Sequence, residues 1–344
     1  MKKPVLVLKF GSLSLTTPEG EIDERVVLEI ARQTSVLQKK YNVVIVSSGA
    51  VAAGRRCLKN YTGTLSERKA AAAIGNPLLI RTYSQYFRPF KIEIAQSLCE
   101  RQHFANRDQF LQLKNTYEEL WKNNIIPIAN ENDVVSNKEL NFSDNDELAT
   151  MIAVGFGAEK LLYNTTTGGV LGPDNRIIPE IAVIDKTILS VVRDEVSSVG
   201  MGGMASKLNF ARLATRLGVE VVIFNMSEEN SLLKASEGKI GTICRARRTK
   251  LNSRLNWLAS GSLIRGLIKV DNGAKEALME RNSLLAVGVT EVTHEFEAGE
   301  VFHIADISGN IFAVAKSKLD FGKEQCAQKM KNVEIANAND IVLL

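Results

Sequence analysis

Val5-Leu6-Val7-Leu8-Lys9-Phe10-Gly11-Ser12 is the run from which the fold of this chain is read. Consecutive apolar residues without alternation fit a strand buried on both faces, as in parallel sheets. Lys9 closes that strand. A cation at the rim of a core needs an anionic partner, unless it snorkels to solvent along the sheet edge. Gly11 lets backbone approach a ligand closely. Working outward, the same theme repeats as far as Phe224. Val43–Val46, Ile92–Ser97, Ile125–Ala129, Lys160–Tyr163 and Val219–Phe224 read as further strands. Glu24–Lys40, Ser66–Phe87, Gln109–Asn123, Ser143–Phe156 and Gly203–Leu217 read as helices, and Gly75 with Pro77 predicts a break or kink in the second of them. Strand–helix–strand repetition predicts an α/β fold: a mostly parallel open sheet sandwiched by helices.

The character changes after about Gly238. From there to Val270 the chain carries eight basic residues and no acidic one, which reads as a basic linker. Beyond Ser262 the runs are short: Leu267–Val270, Gly288–Thr293, Val301–Ala305 and Ile311–Ala315. Turn signals such as Asp271-Asn272-Gly273 and Ser308-Gly309-Asn310 separate them. They predict a small C-terminal β-barrel. The expected domains are 1–258 and 262–344, and 344 residues suit two domains.

Composition sets the remaining bounds. Hydrophobic residues at 45% and charged residues at 24% place the chain among ordinary globular proteins. Aromatics at 6% argue against broad base-stacking platforms, and a net charge of +4 against a nucleic-acid coat protein. Cys57, Cys99, Cys244 and Cys326 include no CxxC pair and read as reduced thiols. His103, His294 and His303 have no helical i,i+4 spacing, so a histidine zinc site is not expected. Lys9 interrupts the N-terminal apolar run well short of a signal peptide, and no stretch approaches ~18 continuous apolar residues. A cytoplasmic location is expected.

Ligands of an open parallel sheet bind beyond the carboxyl ends of its strands. There the chain carries Lys9-Phe10-Gly11-Ser12, then Ser47-Ser48-Gly49-Ala50, then Asn130-Glu131-Asn132-Asp133. Gly200-Met201-Gly202-Gly203-Met204-Ala205-Ser206-Lys207 precedes a predicted helix. Glycines at a helix start offer backbone N–H groups to an anion, and Lys207 adds a charge. The stretch is no Walker A loop. Gly200, Gly202 and Ala205 match the dinucleotide pattern, but the residues before them make a poor strand, which leaves that fingerprint weak. Ser143-Asp144-Asn145-Asp146 opens another helix with more charge than one cap requires.

These motifs, in this order and spacing, resemble the amino-acid kinase family, with Val46–Arg55 extending the second of them. The C-terminal part resembles the PUA domain that follows many such kinases. The resemblance implies ATP-dependent phosphorylation of the γ-carboxylate of L-glutamate, the first step of proline synthesis. By the family pattern, Lys9 and Lys207 contact the phosphoryl group in flight and Asp146 holds both lysines. Ser48, Gly49, Asp133 and Asn145 bind glutamate, with Asn130 and Asp144 nearby. Lys9, Gly11, Ser12, Thr165, Thr166, Met201, Gly202, Gly203, Met204, Ala205, Ser206 and Lys207 line the nucleotide, with Mg²⁺ carried by ATP rather than by side chains. Thr165-Thr166 stands where the family usually has Thr-Asp, and the loop from Gly168 to Ile178 also departs from its pattern. The resemblance further suggests feedback inhibition by proline and a dimer or tetramer. Other readings are a kinase of aspartate or N-acetylglutamate, or an RNA-binding or interaction protein on an inactive kinase fold. Intact Lys9, Asp146 and Lys207 speak against inactivity. PUA domains in other proteins bind RNA, but the basic stretch here offers only Trp257 for stacking.

Overall fold

The computed structural model describes residues 3–17, 19–135, 145–185, 187–189, 203–247, 264–298, 300–328, 330 and 332–343. The chain divides into two compact units, Met1–Arg101 with Leu111–Thr249, and Gln102–Phe110 with Lys250–Leu344. The boundaries expected at 258 and 262 lie outside the described residues.

The first unit is built on an eight-stranded sheet. Its strands are β1 Val5–Phe10, β2 Asn42–Ser47, β3 Glu93–Cys99, β4 Ile125–Glu131, β5 Lys160–Asn164, β6 Glu180–Ile181, β7 Glu220–Phe224 and β8 Thr242–Cys244. Their order is β3-β4-β2-β1-β5-β7-β8-β6. All pairings are parallel except β7 with β8. β1 is wholly buried, as its unbroken apolar run predicts.

The two faces of β1 serve different ends. Leu6, Leu8 and Phe10 join a core with Val27, Ile30 and Ala31 of α2 (Glu24–Leu37) and Leu79, Tyr83 and Phe87 of α4 (Leu65–Phe87). Val5, Val7 and Lys9 therefore face the other side. There α7 (Asn145–Phe156) packs on β1, β5 and on α8 (Met204–Arg216). Every residue of α7 from Asp146 onward is buried apart from the half-buried Glu147.

Several expectations change in detail. α2 ends at Leu37, and Lys39-Lys40 fall in the turn beyond it. No break occurs at Pro77: α4 runs unbroken through it. Two contacts with the short helix α3 (Ala50–Arg55) hold it there. An ideal Cβ on Gly75 would lie 1.7 Å from the Ala50 carbonyl oxygen, and one on Gly54 1.9 Å from that of Ala71. The basic stretch does not begin as a linker, because Thr242–Cys244 is β8, paired antiparallel to β7.

The second unit is β-rich, as expected. β9 Ile264–Val270, β11 Val289–His294, β12 Val301–Ala305, β13 Ile311–Lys316 and β15 Ile341–Leu343 form one sheet in the order β11-β9-β12-β13-β15; β10 Leu284–Leu285 pairs with β14 Glu334–Ala336. It has its own core, in which Phe296 stacks on Phe302 with ring centroids 4.1 Å apart. No described helix is long and apolar enough to cross a membrane.

Candidate active site

Lys9 is the last residue but one of β1, opposite Val46 of β2 and Tyr163 of β5. Only 5% of it is exposed. Its anionic partner is Asp146, in the first turn of α7 on that face. Lys9 Nζ lies 2.5 Å from Asp146 Oδ1, and Lys207 Nζ lies 2.9 Å from Oδ2 of the same carboxylate. Asp146 is fully buried and Lys207 9% exposed. Two ammonium groups thus meet on one carboxylate, in surroundings where charge interactions are strong. A buried charge triad of this kind is weak evidence for stability.

The backbone around Asp146 is pinned. Its carbonyl oxygen accepts from Thr150 Oγ1 at 2.7 Å and from the Tyr163 hydroxyl at 3.1 Å. Glu147, next in the turn, pairs with Arg101. Thus β1, β5, α7 and α8 jointly fix where the two ammonium groups meet.

Beside the triad runs a chain of amides. Asn145 Nδ2 donates to Ser48 Oγ and to Asn130 Oδ1, each at 3.0 Å. Asn130 Nδ2 donates to Asn76 Oδ1 at 3.0 Å. Ser48 N in turn donates to the Phe10 carbonyl at 3.0 Å, tying the loop after β2 to the end of β1. Gly49 caps α3 with φ +106°, a left-handed conformation that a side chain would strain. Asp133 follows β4. Burial holds its carboxyl above the usual carboxylate range, and the Arg68 guanidinium offsets part of that rise.

The N-terminus of α8 suits an anion. Gly203 provides no side-chain cap, and the space where its Cβ would stand is open. At Gly11 a Cβ would meet only Lys9 Nζ, at 3.6 Å. Thr165 and Thr166 follow β5, which extends one residue beyond the expected end to Asn164. The Thr165 hydroxyl accepts from Gly168 N at 3.1 Å and so shapes its own turn, while Thr166 is exposed. The unusual loop is closed by a bridge between Leu171 and Ile177 and by Val170 N donating to Thr242 Oγ1 at 2.8 Å.

Direct contacts therefore join Lys9, Asp146 and Lys207 on the one hand and Ser48, Asn130 and Asn145 on the other, and the two sets adjoin where Asn145 precedes Asp146 in α7. Asp144, Met201 and Gly202 lie outside the described residues, as does Trp257. Sequence reading missed Asn76, the Arg101–Glu147 pair and the Thr150–Tyr163 clamp. The only signal for Asn76 was an amide in an Ala-rich helix between Gly75 and Pro77.

Comparison with known proteins bears on this arrangement. Residues 4–225 match the model of the amino acid kinase family, and residues 266–337 match that of the PUA domain. The chain belongs to the amino acid kinase family. Among curated members, it is 36% identical over 319 residues to the glutamate 5-kinase of Vibrio vulnificus (strain YJ016), covering 90% of this chain and 84% of that one. It is 35% identical over 320 residues to the glutamate 5-kinase of Proteus mirabilis (strain HI4320), covering 90% and 87%. Among solved structures, Giardia carbamate kinase superposes with a TM-score of 0.52 at 19% identity, over 71% of this chain and 99% of that one. That likeness confirms the kinase fold of the first unit. Membership of the family makes this an ATP-using phosphotransferase fold joined to a PUA domain.

Proposed function

We propose that the protein transfers the γ-phosphoryl group of ATP to the γ-carboxylate of L-glutamate, the first step of proline synthesis. What supports this most is the bridge of Lys9 and Lys207 through the buried Asp146. The acceptor carboxylate has a reference pKa of ~4.3 and is already ionised at pH 7, so the reaction needs no general base. The obstacle is charge. Each like-charge contact at ~4 Å costs about 4 kcal/mol at an effective dielectric near 20. Cations and positioning must therefore supply the catalysis. Lys9 and Lys207 neutralise the phosphoryl group as it moves, and Asp146 keeps both amines at hydrogen-bond distance from one point. Gly11, Ser12 and the uncapped start of α8, from Gly203 to Lys207, hold the phosphates, with Met201 and Gly202 just ahead in sequence. Thr165 and Thr166 border the nucleotide.

Ser48, Gly49, Asp133 and Asn145 bind glutamate, Asp133 facing its ammonium group, with Asn130 and Asp144 nearby. Mg²⁺ enters on the nucleotide and shields its charge. Among the described residues no three His, Cys, Asp or Glu side chains are grouped to hold a metal. A cytoplasmic location, a dimer or tetramer, and inhibition by proline belong to the same reading.

The test is hydroxamate formation from ATP, Mg²⁺ and hydroxylamine with glutamate, aspartate or N-acetylglutamate as acceptor. Glutamate is expected to be turned over with the highest kcat/KM. Preference for either other acid replaces the substrate, and no product from any of the three overturns the kinase reading.

A further inference from the structure

Asn76 lies in the middle of α4 and is only 4% exposed. It belongs to neither phosphate loop nor helix cap, yet its Oδ1 receives the Asn130 amide. The direction of every hydrogen bond in this relay is fixed by one group that cannot turn. The backbone N–H of Glu131 donates to Asn130 Oδ1 at 3.0 Å. That oxygen also accepts from Asn145 Nδ2. The Asn130 amide nitrogen must then donate in the opposite direction, to an acceptor, and Asn76 Oδ1 is that acceptor. Asn145 spends its own Nδ2 on Ser48 and Asn130. The group left over is Asn145 Oδ1, buried and without a donor among the described residues. At the opposite end, Asn76 Nδ2 is likewise buried and unpaired. The relay thus runs one way, with an open acceptor at the Asn145 end.

We propose that Asn76, by accepting from the Asn130 amide nitrogen, is a positioning residue that holds the Asn76–Asn130–Asn145 relay in the polarity set by the Glu131 N–H, and thereby makes the site select an acceptor acid bearing a free ammonium group. An open carbonyl oxygen on the amide that donates to Ser48 suits an N–H donor. The reversed relay would present an N–H₂ group there and repel an ammonium. Without Asn76 Oδ1, a buried Asn130 N–H₂ has no acceptor, and the relay turns or loosens to satisfy it. The inference rests on the function proposed above only for the identity of the acid.

The experiment compares acids that differ only in the ammonium group: glutamate with glutarate, and aspartate with succinate, in the hydroxamate assay. Wild type is compared with Asn76→Leu, which removes the acceptor at similar volume, and Asn76→Asp, which keeps an acceptor oxygen. For Asn76→Leu the ratio of kcat/KM for the amino acid to that for its deamino analogue falls about tenfold or more, with KM for ATP unchanged. Asn76→Asp holds the wild-type ratio. A general packing defect lowers both acids alike and leaves the ratio intact, which overturns the proposal. So does an equal loss of the ratio in both variants whose melting temperatures match wild type. If aspartate rather than glutamate is the working substrate, the aspartate–succinate pair judges the relay while the glutamate reading fails. If glutamate is turned over and Asn76→Leu keeps full discrimination, the relay fails and the glutamate reading stands.

Discussion

At Asp133, burial and a neighbouring charge pull against each other. Desolvation raises the carboxyl pKa, and Arg68 lowers it by less. The folded protein favours the neutral acid more than the unfolded chain does. The stability that this group contributes is therefore present below its ordinary pKa and is lost as pH rises through the raised one. An ammonium ligand reverses the preference, because it needs the carboxylate. KM for glutamate is accordingly expected to climb on acidification, starting above the pH at which an ordinary aspartate titrates. Asp133→Asn raises KM at all pH values and removes that dependence. A pH series of kcat/KM checks this, and superimposable profiles contradict it. Lys9 shows why part of the site was legible: a charge closing an apolar strand is costly unless something answers it. Asp146 was legible as surplus charge at a helix start. Asn76 carried no such cost in the sequence, because an amide in a helix is ordinary, and its partner Asn130 lies far along the chain.

At the level of elements, the approach of α3 and α4 decides where Ser48 and Asn76 stand. Gly54 and Gly75 let backbone touch backbone, so neither tolerates a Cβ without separating the helices. Gly75→Ala is expected to cost at least about 2 kcal/mol by overpacking. A thermal melt with and without glutamate measures it, and an unchanged melting temperature contradicts the close packing. Local pattern made the long elements readable, since buried parallel strands are apolar throughout and α2 is amphipathic. The break expected at Pro77 does not occur, because close packing of α3 on α4 outweighs one lost hydrogen bond. The strand β8 stayed hidden because Thr242-Ile243-Cys244 is brief and sits among basic residues. Its antiparallel pairing with β7 depends on a neighbour that no local pattern names.

On the scale of the whole molecule, each of the two units has a core of its own among the described residues, and the candidate site lies in the first unit. The residues that meet at Asp146 come from distant parts of the chain: the first strand, the helix after the fourth, and the helix before the seventh. A parallel sheet brings them together because each strand ends at the same edge. The most direct test of the account is the turnover of Lys9→Ala and Lys207→Ala in the hydroxamate assay with saturating ATP and glutamate, each folded as judged by its melting curve. The account predicts that kcat falls by about 10²–10³ in each, the loss of one preorganised charge on the transferring group. Near-normal turnover in either variant would contradict it.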